Sequence, residues 1–198
     1  MILGSAILLR HRHQLLFELQ KKSKWTHTAE GVVQIGLGCI GGHVEAGEAP
    51  IETLHREALE EIGCQLHLDN PPPPFLVHAN RAVESPPPSS SDDRVLFYWQ
   101  AEKPGYIPGA GVAVYAGVTQ GEIRPDDLGG VLCMDAETLL QFGPTPMTIE
   151  DLLQRGGTLI EKETIPRTAV LQPIGTVEIL LELRRLDPQR LARCLAAE

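Results

Sequence analysis

Apolar residues near the start of the chain form short runs separated by polar or glycine-containing segments. The apolar runs at residues 5–10 and 15–20 predict two β-strands, and the polar residues 11–14 between them favour a hairpin. Residues 31–37 are apolar and β-branched, which predicts a third strand. The glycine-dense stretch 36–47 excludes a regular helix there, because glycine disfavours the interior of a helix.

The strongest helix prediction covers Pro50–Ile62, where apolar positions recur with helical spacing. Pro50 suits the first helical turn, where its missing N–H costs no hydrogen bond. Glu48 and Glu52 suit the positive end of the helix dipole, and Gly63 is a typical residue to end a helix.

The rest of the chain predicts more strands and then helices. Strands are expected at 64–68, 75–79, 94–101, 111–119 and 130–134, and helices at 136–142, 148–154, 176–186 and 188–197. A Pro/Ser-rich stretch near 85–93 is interpreted as an insertion loop between two strands. This order predicts an α/β (α+β) fold, a mixed sheet covered by helices, with residues 1–146 as the main domain. Residues 147–198 are expected to form a C-terminal helical extension packed on the same domain.

Composition narrows the class of protein. The 198 residues are 42% hydrophobic and 22% charged, which is typical of a soluble globular protein, and no apolar run is long enough to cross a membrane. A net charge of −9 argues against binding to a nucleic-acid polymer. Four scattered cysteines and no signal-peptide pattern indicate a reducing, cytoplasmic compartment.

The helix also concentrates acidic side chains. Glu57, Glu60 and Glu61 fall within an arc of roughly 100° on a helix with about 100° per residue. The apolar stripe lies beside that arc and consists of Ile51, Leu54, Ala58 and Ile62. Clustered carboxylates repel one another unless a cation neutralises them, and carboxylate oxygens suit Mg²⁺ or Mn²⁺. Taken alone, the helix is more typical of a solvated, glutamate-rich face than of a metal site.

The loop before the helix decides between these readings. Together, loop and helix read G-x₅-E-x₇-R-E-x₂-E-E-x-G, from Gly42 through Glu48 and Arg56 to Gly63. This pattern resembles the Nudix box, the signature of hydrolases that cleave nucleoside diphosphates linked to another group. The resemblance implies a Nudix-type α/β/α sandwich with a mixed β-sheet.

The resemblance also implies a metal site. Glu60 and Glu61 would be the main ligands of Mg²⁺, with Mn²⁺ as an alternative ion. Glu57 would be a further ligand or the base that activates water, and the Gly41 carbonyl would complete the shell.

Other residues receive supporting roles. Glu48 and Arg56 would pair and hold loop and helix in register. His43 is a candidate substrate contact or simply a solvated loop histidine. Glu122, with the neighbouring Asp126–Asp127 pair, is a candidate for an additional catalytic acid, although each is also typical of a surface turn.

Alternatives remain at this point. Residues 36–41 match G-x-G-x-x-G, but a dinucleotide-binding loop needs a helix to begin at its glycines, and here Pro50 places the helix later. A Nudix-fold protein that binds a nucleotide without catalysis is a second alternative. The expected substrate is a small-molecule nucleoside triphosphate or nucleoside-diphosphate derivative. The C-terminal segment is interpreted as a cap, a closing element or a homodimer interface.

Overall fold

The computed structural model describes residues 1–71, 73–85, 94–101, 109–143 and 145–195. The strands in these ranges are β1 (Ile2–His11), β2 (Gln14–Leu19), β3 (Thr26–His27), β4 (Val33–Gly38), β5 (Ile40–His43), β6 (Gln65–Leu68), β7 (Leu76–Val77), β8 (Val83–Glu84), β9 (Val95–Gln100), β10 (Gly111–Gln120), β11 (Gly130–Met134), β12 (Met147–Thr148), β13 (Thr158–Glu161) and β14 (Val170–Pro173). The helices are α1 (Pro50–Ile62), α2 (Ala136–Leu140), α3 (Ile149–Gln154), α4 (Thr176–Leu186) and α5 (Pro188–Leu195), with a short 3₁₀ turn at Lys22–Lys24.

The predicted hairpin is confirmed and starts the sheet. β1 and β2 pair antiparallel through a two-residue turn, in which Arg12 and His13 have φ angles of 48° and 72°. Two positive φ values match the turn type that suits the twist of paired strands. β1 also pairs parallel with β10 and antiparallel with β5, so it lies in the middle of a mixed sheet.

The glycine-dense stretch is extended. β4 pairs antiparallel with β2 and parallel with β14, and β5 then pairs with β1. The sequence correctly excludes a helix here, but glycine also disfavours strands, so β5 was not predicted. Since no helix begins at these glycines, the dinucleotide-binding alternative is excluded.

Local signals account for α1. Pro50 occupies its first turn, and the Glu52 carboxylate accepts a hydrogen bond of 2.8 Å from the Ala49 N–H. Gly63 ends the helix in the left-handed region, with φ 65°. Leu54 and Ile62 are completely buried against one face of the sheet, where they join β1, β6 and β10 in a hydrophobic cluster.

The opposite face of the sheet is covered by the other helices. A larger hydrophobic cluster joins sheet residues to Leu139 of α2, Leu152 of α3, Leu180 of α4 and Leu191 of α5. With α1 on one face and these helices on the other, the predicted α/β/α arrangement around a mixed sheet is confirmed. No helix in the described ranges has the length and apolar character needed to cross a membrane.

The C-terminal third departs most from the prediction. β13 and β14 are strands in a region where none was expected, and β14 extends the sheet by pairing with β4. Their four-residue segments carry little periodic signal, so pairing partners decide their conformation. Residues 86–93 of the expected insertion loop lie outside the described residues.

A matched pair of substitutions on α1 tests this packing. Leu54→Ala should lower the free energy of unfolding by about 2–5 kcal/mol, because it leaves a cavity under a fully buried side chain. Leu59→Ala, on the same helix but at a side chain that is 54% exposed, should change it by less than about 0.5 kcal/mol. Urea denaturation measures both values, and equal effects would show that α1 does not pack as described.

Candidate active site

Arg56 connects the loop to the helix. Its Nε donates to Glu48 Oε1 at 2.9 Å and its Nη2 donates to Glu48 Oε2 at 3.2 Å, which makes a two-point contact. Thr53 Oγ1 donates to the same carboxylate at 2.6 Å. These hydrogen bonds, that of Arg56 foremost, hold the pKa of Glu48 at about 2. The structure therefore brings the two residues together, and the loop cannot shift along the helix without breaking a charged pair.

The same guanidinium reaches two other box carboxylates. Arg56 Nη1 donates to Glu57 Oε1 at 2.9 Å and to Glu60 Oε2 at 3.1 Å. The Glu60 side chain is 54% exposed, whereas that of Glu57 is 16% exposed. Glu57 therefore faces inward and Glu60 lies at the rim of the site.

Glu61 is the most buried acid of the site, with 8% exposure. Its Oε2 accepts a hydrogen bond of 3.2 Å from the Gly41 N–H. Burial is the main cause that raises the pKa of Glu61 to about 9. The nearby negative charges of Glu18, Glu57 and Asp127 raise it further, whereas the Gly41 hydrogen bond lowers it. Within the described ranges, no ion pair to a basic side chain compensates Glu61. A carboxyl group buried in this way is neutral while it holds its proton, and a bound cation would neutralise its ionised form.

Glycine makes room for these carboxylates. A Cβ on Gly42 would lie 2.0 Å from Glu57 Oε1, and a Cβ on Gly38 would lie 2.3 Å from Glu18 Oε1. Gly41 has φ 145°, and a Cβ there would meet the Ser5 carbonyl at 2.1 Å. Side chains at residues 38 and 42 would displace the acids, and one at residue 41 would clash with the backbone of β1, which accounts for the glycines of this segment.

A cleft of about 260 Å³ opens beside this segment. It is lined by residues 4–6, Glu18, Lys24, residues 38–39 and 41–43, Trp99, Val112 and residues 174–176. Trp99 Nε1 donates to Thr176 Oγ1 at 3.2 Å, so the start of α4 fixes the indole at one end of the cleft. Glu18, Gly41 and Gly42 belong to the same lining.

Glu18 is a site residue that the sequence analysis missed. It lies on β2, opposite Gly38 in the β2–β4 register. The signal was an acidic residue in a strand whose neighbours Phe17 and Leu19 are both fully buried. An acid within such an apolar run is costly unless it has a specific role.

The remaining sequence candidates lie around this centre. His43 lines the cleft, and its carbonyl accepts a hydrogen bond of 3.3 Å from Arg56 Nη2. Glu122 is exposed and pairs with Arg124 at 2.8 Å. Asp126 and Asp127 follow in a segment that is fixed to the end of α1, where the Asp126 N–H donates to the Glu61 carbonyl at 2.9 Å. Of the three acids, Asp127 is the one whose charge acts on Glu61.

The donor set fits a hard divalent cation. Carboxylate and backbone carbonyl oxygens are the ligands that Mg²⁺ and Mn²⁺ prefer, and Glu61 lacks a cationic partner in the described part of the chain. No three His, Cys, Asp or Glu side chains of the described residues already converge on one metal position. Arg56 now bridges Glu57 and Glu60, so metal binding would require the guanidinium to release them.

Comparison with known proteins gives the class. A family model for the NUDIX domain matches residues 4–128, more than half of the 198 residues. The chain therefore belongs to the NUDIX family and is a Nudix hydrolase with the pyrophosphohydrolase type of activity. No curated protein sequence matches it significantly.

Solved structures with a similar fold include other members of the family. A NUDIX-family hydrolase from Clostridium perfringens is 17% identical, with a TM-score of 0.47 over 79% of this chain and 94% of that one. A MutT NUDIX hydrolase from Burkholderia pseudomallei is 18% identical, with a TM-score of 0.42 over 73% and 88%. The MutT protein from Methanosarcina mazei is 14% identical, with a TM-score of 0.43 over 73% and 84%. The family assignment comes from the domain model and not from these structures.

Burial of Glu61 makes stability depend on pH. Its pKa rises from 4.5 to about 9 on folding, so the folded protein keeps a proton that the unfolded chain loses. Stability without divalent cations should therefore fall as the pH rises from about 4.5 towards 9. Glu61→Gln mimics the protonated acid and should melt a few degrees above the wild type at pH 8 and together with it near pH 4.5.

Thermal melting followed by circular dichroism measures this difference. Glu60→Gln is the control, because the exposed Glu60 carboxylate has no such penalty and its replacement should give no gain at pH 8. A Glu61→Gln variant that melts at or below the wild type at pH 8 would contradict the described burial.

Proposed function

We propose that this Nudix hydrolase depends on Mg²⁺, with Mn²⁺ as a substitute, and cleaves a phosphoanhydride bond in a nucleoside-diphosphate derivative or nucleoside triphosphate. The observation that carries the proposal is the placement of Glu57 and Glu61 against Gly42 and Gly41. Both glycines line the cleft, so a diphosphate bound there would lie next to the backbone that the two acids contact.

Four groups would hold the cation, namely Glu57, Glu60, Glu61 and the Gly41 carbonyl. When bound, a divalent cation neutralises the diphosphate and lowers the pKa of an attacking water. Glu61 is best placed for the innermost position, because it is buried and without a compensating basic side chain in the described ranges. Glu60 closes the site from its rim once Arg56 releases it.

Arg56 and Glu48 position the acids. Their two-point contact fixes the loop and helix, so Glu57 keeps its place over Gly42 while Arg56 exchanges partners. Glu57 is the proposed general base, because its inward-facing carboxylate lies against Gly42, which lines the cleft.

The cleft separates two kinds of contact for the substrate. Its acidic part would face the metal-bound diphosphate, and the apolar part beside Trp99 and Val112 would take the base or sugar. His43 on the lining is a substrate contact in this scheme. Glu122 is exposed and pairs with Arg124, so we assign it only an auxiliary role as an additional acid.

The setting proposed for this activity is the cytoplasm. All four cysteines are buried, free thiols, which fits a reducing compartment. The substrate is a small molecule, and the negative charge of the chain disfavours a nucleic-acid polymer.

A hydrolysis screen tests the reaction. Nucleoside triphosphates and nucleoside-diphosphate derivatives are incubated with Mg²⁺ or Mn²⁺, and released phosphate, diphosphate and nucleotides are separated chromatographically. Turnover should require the cation and fall by about 10²–10⁴-fold in Glu57→Gln, because proton transfer by a positioned base contributes that much. Glu61→Gln should fall at least as far.

Glu137→Gln serves as the matched control, since it makes the same chemical change on an exposed face of α2. A different outcome would be nucleotide binding, measured by calorimetry, without any turnover. If Glu60→Gln then binds the nucleotide as the wild type does, the protein is a non-catalytic nucleotide-binding protein and the proposal is wrong.

A further inference from the structure

We propose that Glu18, outside the Nudix box, is a fourth carboxylate of the metal site. The inference rests on the proposed metal-dependent function and assigns a role to a residue of a different element. It follows from strand geometry, from contact with the glycine segment and from the shared cleft.

Strand geometry places Glu18 on the correct face of the sheet. Along β2, Phe17 and Leu19 point into the larger hydrophobic cluster, whereas Leu16 joins the cluster under α1. Side chains alternate along a strand, so Glu18 shares the face of Leu16. This is the face on which α1 presents Glu57 and Glu61.

Contact with the backbone brings the carboxylate to the glycine segment. Glu18 is the register partner of Gly38. A Cβ on residue 38 would lie 2.3 Å from Glu18 Oε1, so the carboxylate lies directly against this glycine. Glu57 has the same relation to Gly42, and Glu61 accepts the Gly41 N–H. Three carboxylates from two elements thus rest on one short stretch of backbone, residues 38–42.

The cleft lies along the same stretch of backbone. Glu18 and Gly38 line it together with Gly41 and Gly42. Acids held close together repel one another, and a divalent cation would remove that repulsion by binding their oxygens. A carboxylate from β2 would approach the cation from the sheet, whereas the box glutamates approach it from α1.

Metal binding provides a readout that does not depend on turnover. Mn²⁺ is titrated into metal-free protein and the free ion is followed by electron paramagnetic resonance. Glu18→Gln should weaken Mn²⁺ binding by about 10-fold or more, the scale seen when a group that supports a metal site is lost. Glu137→Gln should bind as the wild type does.

A second measurement separates metal binding from folding. Without a cation, Glu18→Gln keeps the size of the side chain and its capacity to form hydrogen bonds, so the variant should keep a single cooperative melting transition. Weaker Mn²⁺ binding with an intact melting transition supports the proposal. Wild-type affinity in Glu18→Gln overturns it, and so does a lower melting temperature with unchanged affinity, which would show a purely structural role.

Failure of the proposed function has a different signature. If the wild type binds no Mn²⁺, the metal-dependent function itself is wrong. If Glu61→Gln loses Mn²⁺ affinity while Glu18→Gln keeps it, the metal site stands and only the role of Glu18 is rejected.

Discussion

Close contact between carboxylates and glycine backbone is the constraint on which this site depends. Glu57 lies over Gly42, where a Cβ would meet its carboxylate, and Glu61 accepts the N–H of Gly41, where a Cβ would meet the Ser5 carbonyl. The sheet must therefore present bare backbone where α1 presents acids. Burial of Leu54 and Ile62 fixes the helix on that face. Packing thus sets the distance between acid and backbone, and that distance creates the polar centre.

Arg56 balances the charge that this geometry concentrates. Two of its nitrogen atoms donate hydrogen bonds to Glu48, and a third donates to Glu57 and Glu60. In the described part of the chain Arg56 forms no ion pair with Glu61, which is buried and has a raised pKa. The arrangement links the loop to the helix, and in the proposed function it leaves the innermost carboxylate to bind a cation.

The cleft couples this centre to distant parts of the chain. Its lining combines the first strand, the glycine segment and residues 174–176, and Thr176 fixes Trp99 by a hydrogen bond. The segment before α4 reaches this position because β14 pairs with β4, so an element near the C-terminus shapes the surface next to the acids. The lining of the cleft therefore depends on contacts between residues that are distant in the chain.

The sequence by itself determined what is encoded locally. Proline at the start, Gly63 at the end and the apolar spacing between them define α1, and the box spacing defines the reaction class. The pairing of β14 and the place of Glu18 could not be predicted, because each depends on which strand lies alongside. Helix periodicity also could not show that Glu61 is buried while Glu60 is exposed. Only the packed structure decided this, since burial is a property of neighbours that are distant in the chain.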